Sequence, residues 1–452
     1  MNETRKFCEF VAGLTKETIP KDLIDLAKLY TLDLLGVALY GSEKEWSQIV
    51  AAYGKNIGGT PLCTVLGADW KASPEIASLM NGSMGHAFEL DDVHDESLLH
   101  PGTVVVPAAI AVAEANQCSG KEFLLSVIVG YEVMARVGLA VGSVAHLLRG
   151  FHITGTTGVF GAAAAACKLL HHSLDQFVHA MGIAGSLSSG LMEFSQTGGM
   201  VKRLHAGRAA QGGILAAYLA RDGFTGPTTV FEGKYGFLRV FSDAPEIHRL
   251  TDGLGTHYTI REITVKPYAC CSDLHQTIDA LLQIKEKHTI DPSSVEHVIV
   301  EGTTKLVEQN ALDGTHSIMA AQYSIPFTVA ATLLYEIRDP RTYRDEILKS
   351  PDVKVLSSKV EMRKDKEFDS LYPRTLASRV TVRLRGGQQH SVTVYNSKGH
   401  PKNPMSPTEI EEKFFRLTAG ILPTGRSQKI RDLVMTLERV SNIVELTSLL
   451  GK

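Results

Sequence analysis

Residues 81–107 read NGSMGHAFELDDVHDESLLHPGTVVVP, and the rest of the sequence is best understood from this stretch outward. Eight of the fifteen residues from His86 to His100 are His, Asp or Glu, although charged residues make up only 21% of the chain. Apolar segments of small residues flank the cluster, which predicts buried helices on both sides of it. Carboxylates and imidazoles held together shift each other's pKa, because each like charge opposes the ionisation of its neighbour. The cluster is therefore a candidate functional site, and the alternative is an acidic loop exposed to solvent.

The composition excludes several classes of function. The chain has 452 residues, enough for two or more domains, and its 46 basic and 49 acidic side chains leave a net charge of −3. This balance gives no electrostatic case for binding nucleic acid. The N-terminus lacks the apolar core of a signal peptide, and no run of about 18 apolar residues predicts a membrane span. The six cysteines form neither a disulfide framework nor a CxxC zinc motif. We expect a soluble, cytoplasmic protein.

The first half of the chain is predicted to be helical. Apolar residues recur at helical spacing over 103–116 and 121–143. Segments 153–169 and 205–220 are rich in Gly and Ala, which allows helices to pack closely in an interior. No strand pattern of comparable strength occurs before residue 258, so we expect an all-α domain here.

The pattern changes after residue 257. Residues 258–265 alternate like a strand, and strands are also predicted at 295–301, 378–384 and 389–395, the last two as a hairpin around Gly386-Gly387. The sequence thus predicts a mainly α protein with a large all-helical domain and a smaller α+β lid domain. The expected domains are 1–264 (helical), 265–402 (α+β lid) and 403–452 (a helical tail that returns to the helical domain).

A second candidate group lies in a glycine- and threonine-rich turn, residues 150–158, that leads into an Ala-rich helix. The free N–H groups at such a helix start can bind a carboxylate or phosphate. His152 could exchange a proton with that ligand. The alternative is a structural histidine whose hydrogen bonds are satisfied within the fold.

Cationic groups are concentrated in two further segments. Lys202, Arg203 and His205 lie at the start of a predicted helix, where the helix dipole disfavours cations and an anionic partner would offset them. A solvated basic face is the alternative. Lys266 and the vicinal pair Cys270-Cys271 lie at the predicted domain boundary.

Together these groups suit a small substrate that carries several carboxylates. A base would remove a proton next to one carboxylate, while cations hold the carboxylate whose charge grows in the enolate-like state. The sequence lacks a Gly-x-Ser-x-Gly elbow, a Walker loop and a dinucleotide fingerprint.

Six motifs occur in order along nearly the whole chain. They are Asn-Gly-Ser-x-Gly-His-Ala-x-Glu-x-Asp-Asp at 81–92, His-Pro-Gly at 100–102, Gly-Phe-His-x-Thr-Gly at 150–155, Val-Lys-Arg-Leu-His-Ala-Gly-Arg at 201–208, Lys-Pro-Tyr-Ala-Cys at 266–270 and Gly-His-Pro-x-Asn-Pro at 399–404. On these motifs the chain resembles the MmgE/PrpD family, which includes 2-methylcitrate dehydratase, cis-aconitate decarboxylase and iminodisuccinate epimerase.

The resemblance implies a helical domain with a smaller α+β lid, working as a homodimer without metal or cofactor. It implies that His100 and His152 are active-site histidines and that Lys202 and Lys266 are active-site lysines. Asp92 matches the Asp-Asp motif of the family, and we expect it to orient one imidazole. Further substrate contacts are expected from Glu89, Asp91, Thr154, Arg203, His205 and Cys271.

Three positions depart from the pattern of the family. Glu89 stands where the family commonly has Asp, and Val93 stands where it has Thr. Cys271 stands where the decarboxylase has His. These departures argue against decarboxylation and against methylcitrate as specific interpretations. They leave the reaction class in place and the substrate open.

We therefore expect a cofactor-independent lyase, most simply a dehydratase, that acts on a small di- or tricarboxylate by proton abstraction next to a carboxylate. Alternatives are an epimerase or isomerase of an iminodisuccinate-like dicarboxylate and a decarboxylase of a cis-aconitate-like acid. A metal-dependent hydrolase is more remote, and so is a binding protein without activity. The hydrolase would use the carboxylates and imidazoles of His86, Glu89, Asp91, Asp92 and His94.

Overall fold

The computed structural model of this chain describes residues 2–197, 199–312, 314–372 and 375–452. Helices make up 58% of the structure and strands 9%, with small sheets. The prediction of a mainly α protein is confirmed.

The chain forms two compact units. The first, which we call the helical unit, comprises Met1–Ala87, Asp91–Thr264 and Ser406–Lys452. The second, the mixed unit, comprises Phe88–Leu90 and Val265–Met405. Whether the predicted domains 1–264, 265–402 and 403–452 are the folding units of the chain stays a prediction.

The helical unit is built from helices joined by short loops. Its helices are α1 Glu3–Gly13, α2 Lys21–Ser42, α3 Glu45–Ile57, α4 Pro74–Gly85, α5 Gly102–Ala115, α6 Gly120–Ala140, α7 Ser143–Leu148, α8 Ile153–Leu169, α9 Leu174–Leu187, α10 Phe194–Thr197, α11 Val201–Arg221 and α12 Phe237–Val240. The Ala- and Gly-rich helices α8 and α11 pack on each other and are buried along most of their length, as predicted.

One helix, α6, is long and apolar enough to cross a membrane by length and composition alone. Its most apolar window is 94% buried inside the protein, so in this structure α6 is a core helix. It also carries a buried ion pair, in which Arg136 Nε donates to Glu132 Oε1 at 2.5 Å.

Two short antiparallel sheets complete the helical unit. β1 Cys63–Thr64 pairs with β2 Lys71–Ala72, and β3 Val93–His94 pairs with β4 Ile263–Thr264. The predicted strand over 258–265 is therefore mostly wrong.

A buried carboxylate explains the error. Residues 259–262 form a 3-10 turn, and only residues 263–264 form a strand. The backbone N–H and the hydroxyl of Thr259 both donate to Glu132 Oε2, at 2.8 and 2.9 Å. This carboxylate takes the place of a strand partner at Thr259.

The mixed unit is built around a four-stranded sheet in the order β6-β5-β7-β8. The strands are β5 Val295–Gly302, β6 Val360–Lys364, β7 Ser378–Leu384 and β8 Gln389–Val394. β5 runs parallel to β6 and antiparallel to β7, and β7 and β8 form the predicted hairpin. Gly386 and Gly387 in its turn both have positive φ, which glycine adopts at no steric cost.

The remaining helices follow in chain order. The mixed unit contains α13 His275–Lys287, α14 Thr304–Asn310, α15 Ile318–Ala321, α16 Ile325–Leu334, α17 Asp345–Leu348, α18 Pro351–Ser357 and α19 Lys366–Leu371. The tail of the chain adds α20 Pro407–Thr418, α21 Thr424–Met435 and α22 Val444–Thr447 to the helical unit. α20 packs against α2, where Lys413 and Asp33 form a buried ion pair at 2.7 Å.

Candidate active site

The loop between α4 and α5, residues 86–101, carries the acidic and histidine cluster. Helix α4 ends at Gly85, and Pro101 precedes the first residue of α5. Most polar side chains of the loop are buried, with Asp91 at 0% and His86 at 2% exposed, whereas Glu96 is exposed. Buried charges need partners, so the alternative of a solvated acidic loop is wrong.

Asp91 joins two imidazoles. Its Oδ2 accepts a hydrogen bond from His86 Nδ1 at 2.6 Å and lies 3.2 Å from His100 Nδ1. Burial opposes the ionisation of Asp91, but His86 and His100 outweigh it and hold the pKa of this carboxyl well below its usual range. Asp91 is therefore a fixed carboxylate, and both imidazoles present Nδ1–H to it.

The carboxylate of Asp92 is bonded to groups other than a histidine, and the predicted role of Asp92 in orienting an imidazole stays a prediction. Its Oδ1 accepts from the Gly102 backbone N–H at 2.8 Å, and its Oδ2 accepts from the Tyr131 hydroxyl at 2.7 Å. The contact with the imidazoles belongs instead to its neighbour Asp91. The backbone carbonyl of Asp92, however, accepts from His100 Nδ1 at 2.9 Å. Burial raises the pKa of the Asp92 carboxyl to about 7.

His152 is the residue immediately before α8, as its position in the glycine-rich turn predicted. Its Nδ1 lies 3.0 Å from His205 Nδ1, so one of the two rings donates to the other. Its ring also stacks on His86 at 5.8 Å between centroids. Burial, followed by His86 and Lys202, lowers the pKa of His152 well below its usual value, which makes it a neutral imidazole at pH 7.

Thr154 and His100 connect the first turn of α8 to the loop. The Thr154 hydroxyl oxygen accepts a hydrogen bond from the backbone N–H of His100 at 3.2 Å. Thr154 is fully buried, whereas the His100 side chain is 13% exposed. The structure therefore brings the predicted residues His100, His152 and Thr154 together, and the substrate contact of Thr154 stays a prediction.

The first turn of α11 supplies two cationic side chains, Lys202 and Arg203. Lys202 is buried and acts electrostatically on His86, His152 and His205, where its charge lowers each pKa. Arg203 lies with its guanidinium 4.2 Å from the centre of the Trp46 ring, and its Nε donates to the Ala87 carbonyl at 3.3 Å. These contacts satisfy part of its charge, and its predicted role toward a carboxylate stays a prediction.

The mixed unit contains a second buried charge pair. Lys266 Nζ lies 3.5 Å from Glu89 Oε2, and both side chains are buried. Glu89 has φ of +55°, a left-handed conformation that is unusual for a residue other than glycine and that is often associated with functional sites. Cys271 is a neutral thiol, because burial raises its pKa to about 11.

The sequence did not indicate Tyr323, whose pKa is affected by the charges of both Glu89 and Lys266. Burial, followed by Glu89, raises its pKa well above the usual value. Gln322, its neighbour, donates from Nε2 to the carbonyls of Phe88 and Ala269. The local sequence indicates only a helix start, because Ser324 caps α16 by accepting from the Phe327 N–H.

A metal could be held by one group among the described residues, namely His86, Asp91 and His100, whose ligand atoms lie within 4.8 Å of one another. Asp91 Oδ2 is already shared by the two imidazoles, so a metal that binds this oxygen would have to displace their hydrogen bonds. The metal-ligand set predicted for a hydrolase included His94. In the structure, both ring nitrogens of His94 are instead bonded to Ser97 and Glu262.

Comparison with known proteins identifies the family of this chain. The MmgE/PrpD N-terminal domain matches residues 5–250, and the MmgE/PrpD C-terminal domain matches residues 268–439. The chain belongs to the MmgE/PrpD family. The family match confirms the resemblance drawn from the six motifs.

The sequence also matches curated proteins over nearly the whole length of this chain. A cis-aconitate decarboxylase-like protein, oryM, from Aspergillus oryzae is 33% identical over 100% of this chain and 97% of that protein. A cis-aconitate decarboxylase from Aspergillus terreus is 30% identical over 99% of this chain and 96% of that protein. The human cis-aconitate decarboxylase is 26% identical over 99% of this chain and 94% of that protein. The family and these relatives support an enzyme, and within enzymes a lyase.

Proposed function

We propose that this member of the MmgE/PrpD family decarboxylates a small unsaturated tricarboxylate of the cis-aconitate class. Two observations support the proposal. Full-length relatives carry the name cis-aconitate decarboxylase. The helical unit holds a buried cluster of imidazoles beside a buried lysine, and this cluster carries the proposal because it supplies both a proton carrier and a positive charge.

The reaction requires one proton and no electron acceptor. The carbon–carbon bond to the departing carboxylate breaks, and its electron pair forms a new carbon–carbon double bond. The pair of the original double bond takes a proton from an imidazolium, and carbon dioxide leaves. His100 suits the proton carrier, because Asp92 and Asp91 hold its Nδ1–H and leave Nε2 for the substrate.

The charges of the site suit a substrate with several carboxylates. Lys202 is buried, and a buried ammonium attracts an anion more strongly than one in water does. An arriving tricarboxylate also raises the pKa of nearby imidazoles, because an opposite charge favours their protonated form. Substrate binding would thus help His152 to take up a proton.

Dehydration of a hydroxy-di- or tricarboxylate is the second candidate. It is favoured by the departure from the decarboxylase pattern at Cys271, which stands where that enzyme has His. A changed substrate contact at this position would alter which bond of the substrate lies next to the proton carrier. The same residues could then eliminate water instead of carbon dioxide.

The test is proton NMR in D₂O on chelator-treated enzyme with cis-aconitate, citrate, 2-methylcitrate and iminodisuccinate. The proposal predicts a decarboxylated alkene from cis-aconitate. A new vinyl signal from citrate or 2-methylcitrate, without loss of carbon dioxide, would favour dehydration. Exchange with inversion in iminodisuccinate would make the enzyme an epimerase and contradict the proposal.

A further inference from the structure

Within the part of the chain that the structure describes, His86 is hydrogen-bonded through only one of its two ring nitrogens. Its Nδ1 is bonded to Asp91 Oδ2 at 2.6 Å. Among the described residues, neither His86 Nε2 nor Asp91 Oδ1 has a hydrogen-bond partner, although both atoms are buried. A buried polar atom left without a partner costs free energy, so the fold tolerates an unfavourable arrangement here. A ligand atom that meets these positions would remove this cost.

The position of His86 is central in the cluster. Its ring centre lies 4.8 Å from that of His100 and 5.8 Å from that of His152. Both neighbours are expected to exchange protons with the substrate. A substrate group that reaches these two rings is therefore also close to His86.

Asp91 fixes the tautomer of His86. Because Asp91 is a carboxylate, the proton of the neutral His86 ring must lie on Nδ1, and the lone pair must lie on Nε2. Burial lowers the pKa of His86 to about 4, and this outweighs the opposite effect of Asp91. At pH 7 the ring is thus a neutral hydrogen-bond acceptor at Nε2.

We propose that His86 Nε2 is a proton acceptor of this active site, and that it takes a proton from a substrate carbon next to a carboxylate. The carbon–hydrogen bond breaks, the proton forms an N–H bond at Nε2, and the electron pair moves into an enolate of the carboxylate. The Asp91 carboxylate balances the imidazolium that forms. The proposal rests on the proposed function only in that the substrate is a small polycarboxylate.

The consequence differs between the two candidate reactions. In a dehydratase, this step starts the elimination, and a second histidine gives its proton to the departing hydroxide. In a decarboxylase, the same step appears as exchange of the substrate methylene protons with solvent. Exchange with D₂O therefore reports on His86 in either case.

The experiment compares wild type, His86→Gln and Asp91→Asn by NMR in D₂O, following hydrogen exchange and product formation separately. His86→Gln should slow exchange by about 100-fold or more, the usual contribution of a positioned base, with KM changed by no more than about threefold. Asp91→Asn keeps the shape but can donate to Nδ1, which moves the ring proton to Nε2, so exchange should fall by a similar factor. The double variant should be no slower than the slower single variant, because the two residues act as one unit.

His172→Gln is the matched control. His172 also has one bonded ring nitrogen, with Nε2 3.0 Å from the Ala217 carbonyl, and one buried nitrogen without a partner. It lies beyond the C-terminal end of α8, and the length of this helix places it about 25 Å from His152. Its exchange rate should equal that of wild type.

Three results would overturn the assignment of His86. A folded His86→Gln or Asp91→Asn variant that exchanges at the wild-type rate would remove His86 from proton transfer. So would wild-type turnover with no solvent exchange at all. Loss of wild-type activity on chelation, restored by Zn²⁺, would make His86 a metal ligand instead. Absence of both exchange and turnover with every substrate tested would instead overturn the proposed function.

Discussion

At the scale of single residues, burial and nearby positive charge lower the pKa of three histidines in the cluster, His86, His152 and His205. Positive charge on His86, Lys202, His205 or His100 opposes the protonation of His152. A bound anion has the opposite effect and favours the protonated imidazole. The chemistry of the cluster is therefore coupled to substrate binding.

His152→Ala should lower turnover by about 100-fold or more, the scale expected for loss of a positioned acid or base. The fold should remain, because one ring is removed beside His205 and Phe194 without a change of the backbone. Steady-state kinetics together with thermal unfolding would check both parts. Normal turnover in a folded His152→Ala protein would exclude a role of this residue in the chemistry.

His86 should also give the stability of the protein a specific pH dependence. The unfolded His86 takes up a proton near pH 6.5, whereas the folded one does so near pH 4, so stability is lost as the pH falls through this window. In His86→Gln this loss is absent. Between pH 7.5 and pH 5 the free energy of unfolding of wild type should therefore fall by about 2 kcal/mol relative to the variant. Parallel denaturant curves measured at the two pH values would show the difference, and identical pH dependence would contradict it.

The residues of the site could be predicted from the sequence in part only. The motifs indicated His100, His152 and Lys202, which the structure places in one cluster. Which of two adjacent carboxylates contacts the imidazoles could not be predicted, because neighbouring residues of an irregular loop point in different directions. Tyr131 could not be connected to Asp92 either, since 39 positions separate them in the sequence.

At the scale of elements, the start of α5 is fixed by a buried carboxyl group. Asp92 accepts from the Gly102 N–H in the first turn of α5 and from the Tyr131 hydroxyl on α6. The first N–H groups of a helix have no partner within it, so this carboxylate satisfies one of them. The same residue accepts from His100 with its carbonyl, which links the start of the helix to the active-site ring.

Tyr131→Phe should destabilise the protein more at high pH than at low pH. Burial raises the pKa of Asp92 to about 7, so the group is ionised only above this pH, and the Tyr131 hydroxyl stabilises the ionised form. Loss of one hydrogen bond to a buried charge costs about 1–3 kcal/mol. The cost in Tyr131→Phe should approach this value at pH 8.5 and be smaller at pH 5.5. Tyr30→Phe, which removes a hydroxyl from the ring stacked on Tyr131, is the control; an equal cost at both pH values in Tyr131→Phe would contradict the account.

The crossing of α4 and α11 depends on glycine. A Cβ at Gly207 would lie 2.0 Å from the Leu79 carbonyl oxygen, and a Cβ at Gly82 would lie 2.8 Å from the Gly207 Cα. The two backbones therefore touch at this crossing. Because Lys202 lies on α11, one turn or so before Gly207, the crossing also sets where the lysine lies.

Gly207→Ala should lower the free energy of unfolding by several kcal/mol, since neither backbone can move apart without disturbing the packed helices. Gly425→Ala is the matched control, because a Cβ there meets no atom within 4 Å and the residue lies in helix α21. It should stabilise the protein by about 0.5–1 kcal/mol through its effect on the unfolded chain. Thermal or denaturant unfolding of both variants would decide, and an unaffected Gly207→Ala protein would contradict the tight crossing.

The elements of regular structure were predictable where their pattern is local. The Ala-rich helix over 153–169 and the hairpin of β7 and β8 follow from periodicity and from Gly386-Gly387. The predicted strand over 258–265 failed because the Glu132 carboxylate, 127 positions away, binds Thr259. A distant side chain of this kind leaves no sign in the local pattern.

At the scale of the whole molecule, an exposed apolar groove lies on the helical unit. It has a volume of about 820 Å³. Its lining is Ile49, Val50, Tyr53, Glu75, Leu79, Leu204, Arg208, Gln211 and Leu215. Ile49 and Tyr53 are 56% and 57% exposed, which is unusual for large apolar side chains. Because the groove carries both Glu75 and Arg208, two copies related by a two-fold axis could pair these charges across it.

We predict that the protein is a homodimer and that this groove is covered by the second copy. Ile49→Glu combined with Leu204→Glu places charges in the apolar part of the groove and should produce monomers. Leu148→Glu, at a side chain 81% exposed outside the groove, should leave the dimer intact. Light scattering after size-exclusion chromatography measures the mass. A monomeric wild type, or a double variant that remains dimeric, would contradict the prediction.

The most direct test of the account is release of carbon dioxide from cis-aconitate by chelator-treated enzyme, measured beside His152→Ala under the same conditions. The account predicts release by the wild type at a rate that chelation does not change, and a rate lower by about 100-fold or more in the variant. No release by a folded wild type, or equal release by both proteins, would contradict it.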